Sequence, residues 1–472
     1  MLFEFYPGDS KSSVVLKMSA MNSLNALRLT SSPLSDNSPR MIRELQQNNC
    51  LQGKAGLARF SFRNLVSAAR LVILCAFLAP LLCMGADWPQ WRGPNRDGIS
   101  QETGWLTDWP AAGPKRIWEG KVGVGYSSFA VSGNRVITMG NVNDTDRVVC
   151  FDAATGRELW KHEYACEAKD PNGFHGTRST PTIEADRVYT LSRHGHMFCL
   201  DAGNGTVRWS LNLVKDLGGR EPTQDNGNQG WGYSGSALIE KNWVLVEAGG
   251  TEGASVVALD KLTGKVVWKH GNDGAGYSSL VAFDYMGERL LAQFAAGHLV
   301  LRRMKDGSEV MRQPWKTSYA VNAATPIVAD DHIFIASGYG SGCGLYRITP
   351  SGFQEVWRNK DMKNHVNSCV LVNGFLYGFD ESELKCLDWK TGEAKWASRA
   401  YGKGSLMSAA GKLLVYSPSG RLGLVEATPE GFKESAGFQV LQGRNAWAHP
   451  VLAHGRIFVR GLDEVVAFDV TR

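Results

Sequence analysis

The chain has 472 residues, 43% of them hydrophobic and 21% charged, which excludes a disordered protein and leaves ample material for a large core. Fifteen tryptophans and 53 glycines are both high for this length, and large flat side chains beside many tight turns favour an all-β protein. The formal charge of +5 lies wholly in the first 86 residues, where nine Lys/Arg face four Asp/Glu; the remainder is neutral, so nucleic acid is not an expected partner.

Residues 1 to 86 are expected to form a leader. Stretches such as SSPLSDNSPR and LQQNNCLQGK show no apolar period, and Arg59, Arg63 and Arg70 then precede an apolar run from Leu71 to Leu82. That run is shorter than the about 20 apolar residues that span a bilayer, and it closes on the small pair Gly85 and Ala86. The pattern is that of a signal peptide cut beside Ala86, which places the mature protein in the periplasm or outside the cell with no transmembrane segment. The stretch before Arg59 is long for such a signal; a start at Met41 and a long unstructured leader both account for it. Cys83 lacks the small preceding residue of a lipoprotein signal, so lipid anchoring is not expected. Residues 87 to 114 are expected to pack as an N-terminal segment on a domain that fills 115 to 472.

The chain then repeats itself: VVCFDAATGRELW (148 to 160), MFCLDAGNGTVRW (197 to 209), VVALDKLTGKVVW (256 to 268) and LKCLDWKTGEAKW (384 to 396). Each unit is an alternating apolar run, an Asp, a Gly four residues later and a Trp four beyond that. The spacing predicts a β-hairpin whose Asp caps the turn, whose Gly takes positive φ and whose second strand ends in an aromatic. Weaker copies at 299 to 315, 345 to 357 and 422 to 438 lose the Asp and keep the Gly, making seven. Upstream of each lies another pair of short strands, as in STPTIEADRVYTLS (179 to 192), ATPIVADDHIFIAS (324 to 337) and HPVLAHGRIFVRG (449 to 461). Four strands per unit, at a spacing of about 45 residues, is a propeller blade. The last unit stops at VVAFDVTR (465 to 472) without its fourth strand, and KRIWEGKVG (115 to 123) supplies one, with Trp118 where the repeat wants a Trp. The expected fold is all-β: an eight-bladed propeller of four-stranded antiparallel blades, monomeric, closed by pairing of N- and C-terminal strands so that no sheet edge is left free.

In these units the chain resembles the PQQ-like (pyrroloquinoline-quinone-like) β-propeller family, over residues 115 to 472, with Trp160, Trp209, Trp268, Trp315, Trp357 and Trp396 ending successive outer strands. The opening ADWPQWRGPNRDGIS (86 to 100) is similar to the start of mature secreted bacterial members. The resemblance implies that these six tryptophans, with Trp118, dock blade against blade, each contributing a few kcal/mol through burial at about 25 cal/mol per Å².

Eight segments precede the blades' first strands: GVGYSS (123 to 128), HGTRST (175 to 180), GWGYSG (230 to 235), GAGYSS (274 to 279), VNAATP (321 to 326), HVNSCV (365 to 370), GSLMSA (404 to 409) and AWAHPV (446 to 451). The first strand of a blade is innermost, so these segments are expected to ring one mouth of the central channel, their glycines letting backbones crowd the axis. No helix follows to present its N-terminus, so they are not phosphate loops. The mouth gathers Tyr126, His175, Arg178, Trp231, Tyr233, Tyr277, Asn322, His365, Asn367, Trp447 and His449 as candidates for orienting a small polar ligand or an envelope protein. The competing reading is that these side chains only satisfy neighbouring loops.

Two functions follow from the resemblance. The leading one is an exported, non-catalytic binding or interaction scaffold of the cell envelope, as in the outer-membrane assembly-factor lipoproteins, with no catalytic residue and no cofactor. The alternative is a quinoprotein dehydrogenase oxidising an alcohol or sugar, with PQQ and calcium in the mouth. Against it, the sequence contains neither adjacent cysteines nor a CxxCH haem motif, and the mouth segments hold Arg178, Asn322 and Asn367 but no carboxylate.

The remaining signals are weaker. HGH (194 to 196) is expected to be a surface hairpin before a metal site, and a three-His site from His175, His365 and His449 would have to join the second, sixth and eighth blades. Cys150, Cys199 and Cys386 occupy one repeat position and are expected to be small buried groups. Cys343 and Cys369 fall in adjacent blades, and whether they pair is left open.

Overall fold

The computed structural model describes residues 85 to 443 and 445 to 472; the leader through Met84, with its apolar run and Cys83, lies outside the described residues. Blades 1 to 7 cover 130–165, 182–212, 238–270, 281–314, 327–359, 370–398 and 405–439, each a four-strand antiparallel meander, and the two residues Ile99–Ser100 add a parallel strand to blade 7. Blade 8 takes three strands from 451–469 and its outermost from Lys115–Lys121, which runs antiparallel to Glu464–Asp469 and closes the ring. Among the described residues no helix is long and apolar enough to cross a membrane.

The hairpin chemistry explains the repeat. Asp152 Oδ1 accepts from the backbone N of Ala154 and of Thr155 and from the Thr155 hydroxyl, and Asp260 does the same for Leu262 and Thr263. Beside each turn a β-bulge sets the Trp opposite the third strand: Trp160 faces Cys150, Trp209 faces Cys199, Trp268 faces Ala258, Trp357 faces Leu345, Trp396 faces Cys386 and Trp118 faces Ala467. The indole then reaches the next blade. Trp118 donates to Ala153 O (2.9 Å), Trp160 to Ala202 O (3.0 Å), Trp209 to Lys261 O (3.0 Å), Trp357 to Trp389 O (2.9 Å) and Trp396 to Thr428 O (2.7 Å). Trp268 packs on Gly307 in the same manner, but its indole N–H finds no partner.

Trp315 corrects the pattern. The position opposite the third strand of blade 4 belongs to Met311, facing Leu301, because blade 4 spaces its Gly307 and Trp315 eight residues apart instead of four. Trp315 lies just past the outer strand, buried, with its N–H on Ser337 Oγ at 3.1 Å and the Arg358 guanidinium over its ring at 4.4 Å.

The turn glycine does two things at once. Gly264 has φ +71°, and a Cβ there would stand 2.8 Å from the Trp209 ring. Gly264→Ala is therefore expected to combine left-handed strain of about 1–2 kcal/mol with overpacking of about 1–3 kcal/mol. Gly133→Ala, at φ +54° with nothing within 4 Å, carries the strain alone. Guanidinium unfolding of the two variants checks this, and equal losses would remove the glycine's role as the indole's platform.

The central channel is filled by the chain's own residues 88 to 100, which touch the innermost strand of every blade or the residues leading into it. Trp88 bridges Val131 of blade 1, Pro89 O accepts from Ile183 N of blade 2 (2.7 Å), and Arg96 donates to Ser236 O (3.4 Å) and Ala237 O beside blade 3 and to Leu280 O (2.9 Å) beside blade 4. Trp91 donates to Thr325 Oγ1 (2.9 Å), Arg92 to Cys369 O (2.5 Å), Ile99 pairs with Ser408, and the Ser100 hydroxyl reaches Leu452 O (3.2 Å). This segment is an axle, which nothing in its sequence announced. Cys343 and Cys369 are free thiols on separate asparagines, Asn359 and Asn364, and do not pair.

Candidate functional site

The eight loops do crowd together. Gly232, at φ +71°, brings its backbone so close to blade 2 that a Cβ would lie 2.4 Å from Arg193 O. Between these loops and the axle is a cavity of about 100 Å³, lined by Trp91, Tyr126, Phe174, Arg178, Trp231, Ser234, Tyr277, Ser279, Ala323, Val366 and Trp447. Six of these are aromatic. Tyr126 and Trp447 stack with centroids 5.7 Å apart, Phe174 tilts onto Trp447 at 5.4 Å, and Trp231 meets Tyr277 at 5.1 Å. Trp91, from the axle, abuts the buried His449 ring at 4.7 Å. A void of this size holds several waters or one small ring.

The nitrogen groups of the lining side chains are donors. The indole nitrogens of Trp231 and Trp447 are buried without a partner. Arg178 holds Asp170 Oδ2 (2.8 Å), Phe174 O (2.5 Å) and Gly176 O (3.0 Å), and its guanidinium lies over the Tyr126 ring at 5.8 Å. Burial pushes Arg178 down to about 10, the like charge of Arg193 adds to this and Asp170 opposes it, so the side chain stays charged at neutral pH. Burial likewise pushes the Tyr126 hydroxyl up, and the Tyr277 hydroxyl to about 12, where it accepts from Gln229 N at 3.0 Å. Both phenols are neutral.

Of the residues expected at the mouth, Tyr126, Arg178, Trp231, Tyr277 and Trp447 line the cavity and the others do not. Tyr233 would share a side with Trp231 in an extended strand, but the left-handed Gly232 between them breaks the alternation and sends Tyr233 into the core between blades 2 and 3, its hydroxyl on Ala248 O at 2.8 Å. Asn322 is spent on blades 4 and 5 and on its own loop: its Nδ2 donates to Ala295 O (2.8 Å) and its Oδ1 accepts from the hydroxyls of Thr317 and Ser337. Asn367 donates to Gly404 O (2.8 Å) and accepts from Asn364. His449 sits behind Trp91 with Nδ1 at 3.1 Å from Leu406 O, and burial pushes it down to about 3, so it is neutral. His365 stands outside the lining, beside Lys403 (2.8 Å) and Glu381 (3.4 Å), and the hydrogen bond from His365, with Lys403 after it, holds Glu381 at about 2. His175 is exposed and accepts from Asp170 N (3.0 Å). The three histidines thus have separate partners, and among the described residues no group of three or more His, Cys, Asp or Glu is placed to hold a metal. His194 of the HGH turn pairs with Glu221 at 2.9 Å. Sequence reasoning missed Trp91 and Phe174; the only signal for Phe174 was its place directly before the HGTRST loop.

PQQ with calcium does not fit these residues. Calcium takes six or more oxygens, carboxylates among them, yet apart from the tyrosine hydroxyls the lining's side-chain oxygens are the hydroxyls of Ser234 and Ser279, and it holds no carboxylate. The nearby acid, Asp170, is closed by Arg178, Arg193 and the backbone N of Asn172 and of Phe174.

The family model described as outer membrane protein assembly factor BamB matches residues 101–226 and 144–398. The chain belongs to this family. Members of the wider propeller group also match over shorter stretches: the quinoprotein ethanol dehydrogenase of Pseudomonas aeruginosa is 28% identical over 172 residues, 33% of this chain and 25% of that protein. The dehydrogenase subunit of the quinone-linked alcohol dehydrogenase of Komagataeibacter europaeus is 30% identical over 128 residues, 25% of this chain and 16% of that one. The chain therefore spans a quarter or less of these curated relatives. Among solved structures, BamB from Moraxella catarrhalis superposes with a TM-score of 0.52 at 15% identity, over 76% of this chain and 98% of that one. The quinohemoprotein alcohol dehydrogenase of Comamonas testosteroni gives 0.59 at 12% identity, over 82% and 80%. At these identities the likeness is one of fold.

Proposed function

We propose that this member of the BamB-type propeller family is an exported, non-catalytic binding protein of the cell envelope whose channel-mouth cavity takes a flat group bearing hydrogen-bond acceptors, presented by a small polar ligand or by a partner protein. The observation that carries the reading is the cavity's wall of six aromatic side chains with Arg178 among them; the indole N–H groups of two of those rings, Trp231 and Trp447, are buried without a partner. A buried donor without a partner costs about 1–3 kcal/mol, which an acceptor on the guest would return. Aromatic walls supply the stacking surface and the guanidinium favours a guest with partial or full negative charge. The dehydrogenase reading draws on the names of the quinoprotein relatives, and the donor set of the cavity counts against it.

Titration followed by tryptophan fluorescence tests this, with benzoate and quinoline-2-carboxylate as flat anionic probes. Binding is expected, weakened about tenfold, or 1.4 kcal/mol, in Trp447→Phe or Trp231→Phe, which keep a benzene ring and remove the N–H with the rest of the indole. No response to either probe would sink the cavity reading. Submicromolar, calcium-dependent binding of PQQ that is lost in Arg178→Ala, with dye-linked oxidation of an alcohol, would replace it by the dehydrogenase.

A further inference from the structure

The backbone at Ala86 rests on a buried carboxylate. Glu102 is fully buried; its Oε1 accepts from the backbone N of Ala86 at 2.8 Å and its Oε2 from that of Gly455 at 3.1 Å. Three other buried acids of the propeller have a cation each, Asp170 with Arg178, Asp273 with Arg302 and Asp380 with Lys363, while buried Asp146 is held by the Asn141 side-chain amide (2.7 Å) and the Tyr164 hydroxyl (3.3 Å). Glu102 forms no ion pair with a Lys, Arg or His among the described residues. A carboxylate removed from water with only amide donors is costly, and the cost falls when one donor carries positive charge. The donor at Oε1 can itself become that charge, since a break of the Gly85–Ala86 peptide bond turns the Ala86 nitrogen from an amide into an ammonium.

The contacts around it suit a chain end at this residue and not at the next. Asp87 accepts from the Ser132 hydroxyl (2.7 Å) and Gly133 N (2.9 Å) and pairs with His454 (2.6 Å), and Trp88 is bridged to Val131, so the chain is anchored from Ala86 onward. Gly85 is exposed and small, as the residue before a signal-peptidase cut must be. A cut after Ala86 would discard the group that Glu102 holds.

We infer that export processing hydrolyses the Gly85–Ala86 bond and that Glu102 is the internal acceptor of the new α-ammonium, an ion pair that pins the mature N-terminus at the seam of blades 8 and 1. Water adds across the amide under a signal peptidase, Gly85 leaves as the carboxylate, and the Ala86 nitrogen takes the proton. This is independent of what the cavity binds.

The full chain, expressed in a bacterial host and recovered from the exported fraction, tests it by intact mass and N-terminal peptide mapping. Ala86 as the first residue is expected; Asp87, any other start, or a retained leader overturns the inference. With limiting acetic anhydride at neutral pH, the α-amine of the native protein should react at least about tenfold more slowly than after unfolding in urea, one pKa unit being a factor of ten. Glu102→Gln should remove most of that protection. Equal rates in native and unfolded wild-type protein overturn the ion pair even if the variant does not fold, and protection that survives intact in a folded Glu102→Gln protein overturns it as well.

Discussion

Removal of residues 463 to 472 is expected to abolish cooperative folding instead of lowering its midpoint by a few degrees. The deletion takes the strand Glu464–Asp469 out of the middle of blade 8, leaving Lys115–Lys121 without a ladder partner and Arg456–Arg460 paired on one edge only, with Val451–Ala453. Val465, Val466, Phe468 and Val470 are all buried. At about 1.5–3 kcal/mol each, those side chains represent roughly 6–12 kcal/mol of burial, which is comparable with the whole stability of about 5–15 kcal/mol typical of a folded domain. The loss also frees Leu106 N, which donates to Val470 O at 2.7 Å, and the Trp118 ring loses the strand it lies on. One unpaired strand and one newly bared strand edge are templates for association. Sedimentation and thermal unfolding by circular dichroism should report aggregate with no sharp transition. A soluble truncation with a single cooperative melt would contradict closure of the ring by this strand.

The same turn chemistry that makes the ring cooperative made it legible. An Asp that caps, a Gly that must have positive φ and a Trp in fixed register are local requirements, so they recur as letters, and Trp118 could be assigned to the last blade from its register alone. The reading missed the register of Trp315, because the letter was matched and the spacing was not: eight residues from Gly307 put Met311 opposite the third strand, while Trp315 still reaches blade 5 through Ser337 and Arg358. The mouth loops were found for the same local reason, but which side chains face the axis depends on φ at single glycines, as Gly232 shows by separating Trp231 from Tyr233. Asn322 and Asn367 looked like ligand groups and turned out to satisfy loop carbonyls, a demand created only when the loops converge. Trp91 was out of reach for a further reason. Its position follows from a segment that touches all eight blades, and such long-range contacts leave no periodic trace in the segment itself.

That segment carries the other large effect. Arg96 is buried in the channel, and its guanidinium serves Ser236 O, Ala237 O and Leu280 O while Nε donates to the side chain of Gln90 (3.0 Å). Burial pushes it down to about 9, so it remains charged at neutral pH. Arg96→Ala is expected to leave Ser236 O and Leu280 O without this donor and Ala237 O with the Thr182 hydroxyl alone (2.8 Å), and at about 1–3 kcal/mol per buried unsatisfied group the loss should be roughly 2–6 kcal/mol. Arg92, which holds Arg96 O (3.2 Å), Asp97 O (2.7 Å) and Cys369 O (2.5 Å), should cost a similar amount when replaced by Ala. Because each change releases the same segment, the double variant should lose clearly less than the sum of the two, the signature of residues that act as a unit. Both single variants should also weaken binding of the flat probes, since Trp91 directly precedes Arg92 on the same segment and lines the cavity. Guanidinium unfolding of the two singles and the double, read beside the fluorescence titrations, measures this. Strict additivity, or an unfolding free energy within about 1 kcal/mol of wild type for Arg96→Ala, would mean that residues 88 to 100 are a passenger in the channel and that the eight blades hold their spacing without it.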